Sequence, residues 1–301
     1  MRKHPILYGL AILTGAGIAL FFVFYAISSF FGEGTSLMEK EKVGVVVVEG
    51  VLHSSQKIVE QLDEFDEDDA VRAVVLRINS PGGGIVPAQE IYDKVIRLRK
   101  HKKVVASMGS VAASGGYYIA CAADRIVANP GSITGSIGVI IYFSQVDELL
   151  KKIGLRATVI KSGRYKDTGS PFRTMTPEEE RLMQGVIDDI YDQFIEMVAS
   201  RRKIPIEKLA AVADAQIVTG RQALALGLVD ELGTLDDAVD VAAKLAGMEE
   251  KPEVVYPKKE KPDILKYFME GLTSAMTKAI EEKVSGAQYL YLDENAAGFC
   301  R

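Results

Sequence analysis

Val71–Ile78 reads VRAVVLRI and runs directly into the loop NSPGGG (residues 79–84), which joins it to an amphipathic helix over Val86–Leu98. A continuous apolar run of this length predicts a strand that is covered on both faces. Consecutive glycines let the backbone approach a ligand and point N–H groups at it, and the start of a helix adds partial positive charge. The loop lacks the Gly-Lys-Ser/Thr end of a P-loop and the spacing of a dinucleotide fingerprint. It is therefore either a flexible turn or a cradle for an oxyanion or a phosphate.

Strands and helices alternate on both sides of this unit. Apolar runs predict further strands at Val43–Glu49, Lys103–Ser107, Arg125–Ala128, Gly138–Phe143 and Arg156–Ile160. Helical spacing of apolar residues predicts a helix capped by Ser54 or Ser55 and another over Val146–Ile153. Strands that alternate with helices indicate right-handed βαβ units and an α/β fold.

The second half of the chain is predicted to be mainly helical. A long helix begins at Thr176, with Pro177 as its first residue and Glu179 closing a capping box, and it extends to about Arg201. Shorter helices are predicted near Pro205–Val212, Gly220–Leu226 and Leu235–Leu245.

The N-terminal segment differs in composition from the rest of the chain. No charged residue occurs from Pro5 to Phe31, and a helix of this length exceeds the roughly 30 Å hydrocarbon core of a bilayer. A cleaved signal peptide is the alternative, but its apolar part usually spans only about 7–15 residues. Arg2 and Lys3 precede the run, so the positive-inside rule places the N-terminus in the cytoplasm and the remaining chain outside.

Composition excludes several classes of function. A net charge of −5 argues against nucleic acid as a partner. The two cysteines, Cys121 and Cys300, provide neither a disulfide framework nor a metal-ligand spacing. We expect no metal and no cofactor. The chain has only three histidines, His4, His53 and His101, which leaves few residues for a histidine-based hydrolase.

A second stretch carries a candidate nucleophile. Residues 107–120 read SMGSVAASGGYYIA, in which Ser114 follows a strand and opens an Ala-rich helix. Such a turn exposes a hydroxyl among small neighbours, as a nucleophile elbow does. It is not the Gly-x-Ser-x-Gly elbow of the α/β-hydrolases, because Ala112 replaces the first glycine. Either Ser114 is a nucleophile or it merely caps the helix.

Two kinds of residue could activate this serine. His101 lies in a polar turn that we expect at the surface, and His53 belongs to no recognisable triad, although it stays a candidate. A lysine is the other choice, because burial lowers the pKa of an amine and a neutral amine can take the serine proton. Ser-Lys pairs are an accepted variant of the catalytic triad.

Four motifs in order make the chain resemble signal peptide peptidase A, a family in the fold group of the Clp protease and the crotonases. They are NSPGGG (79–84), GSVAASGGYY (109–118), GSITGSIG (131–138) and GRYKD (163–167). The resemblance implies that Ser114 is the nucleophile and Lys166 the general base, with Ser136 orienting the lysine. It also implies that Gly83 and Gly115 donate N–H groups to the oxyanion. Lys161 fits the family motif less well.

Composition and charge predict the organisation of the rest of the chain: a cytoplasmic N-terminus over residues 1–4, a transmembrane anchor over 5–31 and a linker over 32–42. The resemblance covers the anchor and the peptidase domain, which is expected over 43–250. Composition predicts a tail over residues 251–301, with Lys251–Lys261 as a linker and Asp263–Val284 as a separable amphipathic helix. A single copy of the domain resembles the short form of the family. That form assembles into a homo-oligomeric ring at the cell membrane, with the catalytic domain extracytoplasmic.

The expected function is endopeptidase cleavage of released signal peptides and other hydrophobic peptides through an acyl-enzyme. Two other classes remain open. A crotonase-type acyl-CoA enzyme has a similar oxyanion cradle but needs no nucleophilic serine. A ring-forming membrane scaffold could keep the cradle without turnover. A fluorophosphonate probe separates them, because only a competent nucleophile reacts with it.

Overall fold

The computed structural model describes residues 14–24, 40–210 and 214–258. The chain forms two compact units, Met1–Pro257 and Lys258–Arg301, and the second contributes only Lys258 to the described residues. The predicted helix Asp263–Val284 lies outside them.

One sheet organises the first unit. The eight strands found in the described residues are β1 (Lys42–Leu52), β2 (Val71–Gly83), β3 (Lys103–Ala113), β4 (Arg125–Ala128), β5 (Ile133–Gly135), β6 (Ile217–Thr219), β7 (Glu231–Leu232) and β8 (Glu253–Val255). The central order of the sheet is β6-β5-β3-β2-β1-β8, while β4 pairs with both β3 and β7. All pairs are parallel except β5 with β6, so the expected α/β fold is confirmed.

Helices cover both faces of this sheet. The helices in the described residues are a segment over residues 14–24 (α1), α2 (Gln56–Glu67), α3 (Ile85–Leu98), α4 (Gly115–Ala120), α5 (Asp147–Lys152), α6 (Pro177–Arg202), α7 (Ile206–Ala210), α8 (Gly220–Ala225) and α9 (Leu235–Leu245). The capping box predicted at Thr176 and Glu179 is present at the start of α6.

Alternate residues of the central strands supply two separate cores. On one face, Val46 and Leu76 pack in a large cluster with residues of α2 and α3. On the other face, Val45 and Val75 pack against the small residues of α9, such as Ala242. Burial on both faces explains why β1 and β2 are almost continuously apolar.

Two predicted strands do not form. Gly138–Phe143 and Arg156–Ile160 have no regular secondary structure, and several of their apolar side chains are exposed, Tyr142 by 84% and Ile160 by 97%. Their sequence is strand-like, but neither segment pairs with an edge of the sheet, and an unpaired strand gains no ladder hydrogen bonds.

The boundary at the end of the domain also needs correction. Lys251–Lys261 was expected to be a linker, yet Glu253–Val255 forms β8 and pairs in parallel with Lys42–Gly44 at the start of β1. The segment has charged neighbours and only three paired residues, so its strand character comes from the available edge of β1 and not from a strong local pattern.

Only residues 14–24 of the predicted anchor 5–31 are described. They are helical and expose large apolar side chains, among them Phe21 and Phe24 at 65% and 72%. Within the described ranges, no helix combines the length and the apolar character needed to cross a bilayer.

A substitution at Thr234 can measure how much a side-chain cap stabilises this fold. Its hydroxyl accepts a hydrogen bond from the Asp237 amide in a capping box at the start of α9. Thr234→Ala should lower the free energy of unfolding by about 1 kcal/mol, because a helix amide loses its acceptor. Urea unfolding measures this loss. Asp240→Ala, an exposed change in the middle of α9, should leave stability unchanged or slightly higher. Equal effects of the two changes would show that the cap is energetically silent.

Candidate active site

Ser114 occupies a strained turn between β3 and α4. Its φ of 52° and ψ of −121° lie in a region that residues with a side chain rarely adopt. Two backbone hydrogen bonds hold it there: the Ser114 amide donates to the Gly135 carbonyl at 2.9 Å, and the Ser114 carbonyl accepts from Tyr118 at 2.9 Å. The Ser114 side chain makes no capping hydrogen bond to α4. The alternative role as a simple helix cap is therefore not supported by its side chain.

The glycine loop at the end of β2 packs directly against this turn. Gly82 has φ +101°, and a Cβ added to it would lie 2.7 Å from the Gly115 nitrogen and 2.9 Å from the Ser114 Cβ. Gly83 has φ +149°, and a Cβ there would lie 2.5 Å from the Leu52 nitrogen. Backbone packs on backbone at both positions, so no other residue type fits without displacement.

Ser114 lines a cavity of about 290 Å³ together with Gly83 and Gly115. The remaining wall is mostly apolar and comes from α3, α4, α6 and the segment after β5; it comprises Gly84, Ile85, Ala88, Gln89, Tyr118, Gly138, Val139, Ile140, Ile190 and Phe194. The segment that was predicted as a strand over Gly138–Phe143 thus forms part of this wall.

Ser136 follows the residue that holds Ser114 in place. Gly135 accepts the Ser114 amide, and the Ser136 amide donates to the Gln216 carbonyl at 2.8 Å. Ser136 itself has a positive φ of 51° and is half-buried. The chain therefore brings the strained residues Ser114 and Ser136 onto two paired strand ends.

Lys166 is placed differently. It lies in an exposed turn between Gly163 and Gly169 and does not line the cavity at Ser114. His53 is exposed and also absent from the cavity wall, and His101 lies 3.4 Å from Asp66 at the surface. The described residues bring Ser114 and the glycine loop together, while the roles of Ser114 as nucleophile and of Lys166 as base stay predictions.

An ion network beside Lys166 is a feature that the sequence did not reveal. Arg173 donates to both carboxylate oxygens of Asp167, at 2.8 and 2.7 Å, and to both of Glu179, at 2.8 and 2.5 Å. Lys161 also binds Asp167. Hydrogen bonds from Arg173 and then Lys161 hold the pKa of Asp167 far below its usual range. Arg173, followed by the Thr176 backbone, lowers the pKa of Glu179 to about 2.

Cys121 is buried. Burial raises the pKa of its thiol to about 12, so the reactive thiolate is scarce at neutral pH. A cysteine nucleophile is therefore not supported here. Among the described residues, no group of His, Cys, Asp and Glu side chains is arranged to hold a metal ion.

The fold and the Ser114 turn define a serine peptidase of the Clp protease-like α/β class. A family model for Clp protease matches residues 35–132, which include the glycine loop and Ser114. A model for peptidase family S49 matches residues 96–249, which include Ser114, Ser136 and Lys166. The chain belongs to peptidase family S49.

Individual relatives agree with this assignment. The chain is 46% identical over 211 residues to "Putative protease slr0021" of Synechocystis, covering 70% of this chain and 76% of the relative. It is 37% identical over 258 residues to "Putative protease MJ0651" of Methanocaldococcus jannaschii, covering 81% of each. It is 38% identical over 193 residues to "Putative signal peptide peptidase SppA" of Enterococcus faecium, covering 64% of this chain and 56% of the relative.

The Ser114 turn generates a direct prediction. Ser114→Ala should lower the peptidase rate by a factor on the order of 10⁴–10⁶, because no other group replaces a lost nucleophile. It should also abolish labelling by a fluorophosphonate probe. Ser110→Ala, an exposed change on the same strand, should label as the wild type does. A purified, folded Ser114→Ala protein that keeps a tenth of the wild-type rate would exclude Ser114 as the nucleophile.

Proposed function

We propose that this serine peptidase is a membrane-anchored endopeptidase that degrades released signal peptides and other hydrophobic peptides, with Ser114 as nucleophile and Lys166 as general base. The observation that carries the proposal is the strained Ser114 turn, whose side chain caps no helix and lines an apolar cavity beside the glycine loop.

Each residue has a defined chemical step. The neutral amine of Lys166 takes the proton of the Ser114 hydroxyl as its oxygen attacks the scissile carbonyl. The carbonyl oxygen, on which negative charge develops, accepts hydrogen bonds from the backbone N–H groups of Gly83 and Gly115. Lys166 returns the proton to the leaving amine, which frees the C-terminal part of the substrate and leaves its N-terminal part as an ester on Ser114. Water then attacks the Ser114 ester by the same route and releases the acid product.

Ser136 supports the base in this scheme. Its hydroxyl would accept a hydrogen bond from the Lys166 ammonium and keep the amine directed at Ser114. The support for this role is the placement of Ser136 directly after Gly135, the residue that binds the Ser114 amide.

The cavity favours an apolar side chain next to the cut bond. Ile85, Ala88, Ile190 and Phe194 supply apolar parts of its wall, and burying an apolar side chain there contributes about 25 cal/mol per Å². Signal peptides offer such side chains in their apolar part. This match supports the proposed class of substrate.

Membrane anchoring is supported by the N-terminal composition. The run from Pro5 to Phe31 has no charge, and its described part exposes Phe21, Phe22 and Phe24. Large exposed apolar side chains are stable in lipid and costly in water. With Arg2 and Lys3 on the cytoplasmic side, the catalytic domain would lie outside the membrane.

A homo-oligomeric ring is the proposed assembly. Exposed apolar side chains in the segment between Gly138 and Ile160 would be covered by a neighbouring copy, which is typical of subunit contacts. Lys166 does not line the cavity of its own chain, so a neighbour could supply the base.

The identity of the base can be tested by substitution. Lys166→Ala should be inactive, and the wild-type rate should rise with pH through a single limb, because only the neutral amine accepts the proton. Lys161→Ala should keep most of the activity, since Arg173 still binds Asp167. His53→Ala should also stay active. An inactive His53→Ala protein together with an active Lys166→Ala protein would overturn the Ser-Lys assignment.

Subunit mixing tests whether the site is shared. Ser114→Ala and Lys166→Ala chains are dissociated, mixed and reassembled, and peptidase activity is measured. Recovery is expected, because a shared site would pair an intact Ser114 with an intact Lys166 from its neighbour. Verified mixed assemblies without recovery would show that each chain carries its own complete site. A monomer with the full rate would contradict the ring itself.

A further inference from the structure

The backbone hydrogen bonds of the turn that carries Lys166 are all short-range. The Lys166 amide donates to the Gly163 carbonyl at 3.3 Å, the Thr168 amide to the Tyr165 carbonyl at 3.1 Å, and the Ser170 amide to the Asp167 carbonyl at 3.0 Å. The turn belongs to no strand or helix, and Lys166 is exposed. Its position therefore depends on the side chains that tie it to neighbouring elements.

Arg173 provides the main tie. Its guanidinium binds the Asp167 carboxylate through Nε and Nη2, and Nη2 also donates to the Asp167 carbonyl at 3.3 Å. The other edge binds Glu179, which is only 2% exposed. A planar guanidinium that binds two carboxylates at once fixes both distance and orientation.

Glu179 is itself rigidly held. It closes the capping box of α6 with Thr176, and it accepts a hydrogen bond from the Thr168 hydroxyl at 3.2 Å. Asp167 and Thr168, the two residues that follow Lys166, are thus both connected to Glu179. The long helix α6 serves as the fixed frame for the turn.

The same contacts control charge next to Lys166. A free carboxylate at Asp167 would stabilise the ammonium form of the adjacent lysine and so oppose its use as a base. Arg173 and Lys161 both face Asp167 and compensate its charge, while Glu179 balances the second edge of Arg173. Arg164, Tyr165, Glu178 and Arg181 line the adjoining surface, where Glu178 binds Arg164 and Tyr165.

We propose that Arg173 is a positioning residue for Lys166, which it serves by clamping the Lys166 turn to Glu179 at the start of α6 and by compensating the charge of Asp167. This inference rests on the proposed function, in which Lys166 is the general base. Arg173 touches neither the substrate nor Ser114 in this scheme, so its effect passes entirely through the base.

The experiment compares kcat, KM and the pH profile of the full-length protein and its variants on one fluorogenic apolar peptide. Arg173→Gln should lower kcat by about tenfold to a hundredfold, with KM changed less than threefold, because a misplaced base affects the chemical step. Its acid limb should move up by about half a pH unit, since Lys161 alone then compensates the charge of Asp167. Glu180→Gln, which removes one exposed charge of the opposite sign in the first turn of α6, should match the wild type in all three quantities.

Two further variants separate charge from geometry. Arg173→Lys should return the acid limb to the wild-type pH while kcat stays reduced, because an ammonium restores the charge but not the two-edged clamp. Asp167→Asn should move the acid limb to lower pH, opposite to Arg173→Gln, since Lys161 and Arg173 then lose the negative charge of Asp167. Asp167→Asn keeps the shape of the side chain, so it carries the test even if Arg173→Gln fails to fold.

Each outcome has one meaning. An active Lys166→Ala protein would overturn the proposed base and this inference with it. An inactive Lys166→Ala protein, with a kcat within twofold of wild type and an unmoved acid limb in Arg173→Gln, would overturn this inference alone. The same follows if the limbs of Asp167→Asn and the wild type coincide, or if both Arg173 variants lose activity without any change in pH dependence.

Discussion

The hydrogen bond from the Ser114 amide to the Gly135 carbonyl is the interaction on which the site depends. It holds a residue with a side chain at positive φ, a conformation that costs on the order of 1–3 kcal/mol. The parallel pairing of Val111–Ala113 with Ile133–Gly135 fixes this carbonyl in place. The Thr134 hydroxyl adds a hydrogen bond to the Ala112 carbonyl at 2.7 Å. The short strand β5 therefore fixes the backbone conformation of Ser114.

That constraint also explains the composition around the turn. Because β3 ends in a strained bend, the neighbouring backbones must approach it closely, and a side chain on Gly82 or Gly116 would collide with backbone atoms. At Gly116 in α4, for example, an added Cβ would lie 2.8 Å from the Ser80 carbonyl oxygen. The two glycine-rich motifs are one packed unit in space, although they lie in different loops of the sequence.

Sequence reasoning succeeded where the signal is local. The apolar runs of β1 and β2, the capping box of α6 and the serine turn after β3 each follow from neighbouring residues. It failed where tertiary contacts decide. Residues 138–143 resemble a strand but line a cavity, whereas Glu253–Val255 has a weak pattern and still pairs with β1. The Arg173 network left no signal at all, because a loop arginine with partners six residues away on either side has no characteristic spacing.

A nucleophile and a base that sit on separate elements have a physical consequence. Ser114 is fixed by backbone hydrogen bonds inside the sheet, so its position hardly depends on other parts of the molecule. The turn that carries Lys166 is held by partly exposed ion pairs of Asp167, and pairs that reach solvent stabilise a conformation only weakly unless several act together. Arg173 joins two carboxylates into such a network, one of them buried. Under the proposed function, Ser114 would hold its reactive conformation at all times. Assembly and the local charge balance would determine when Lys166 can act as the base.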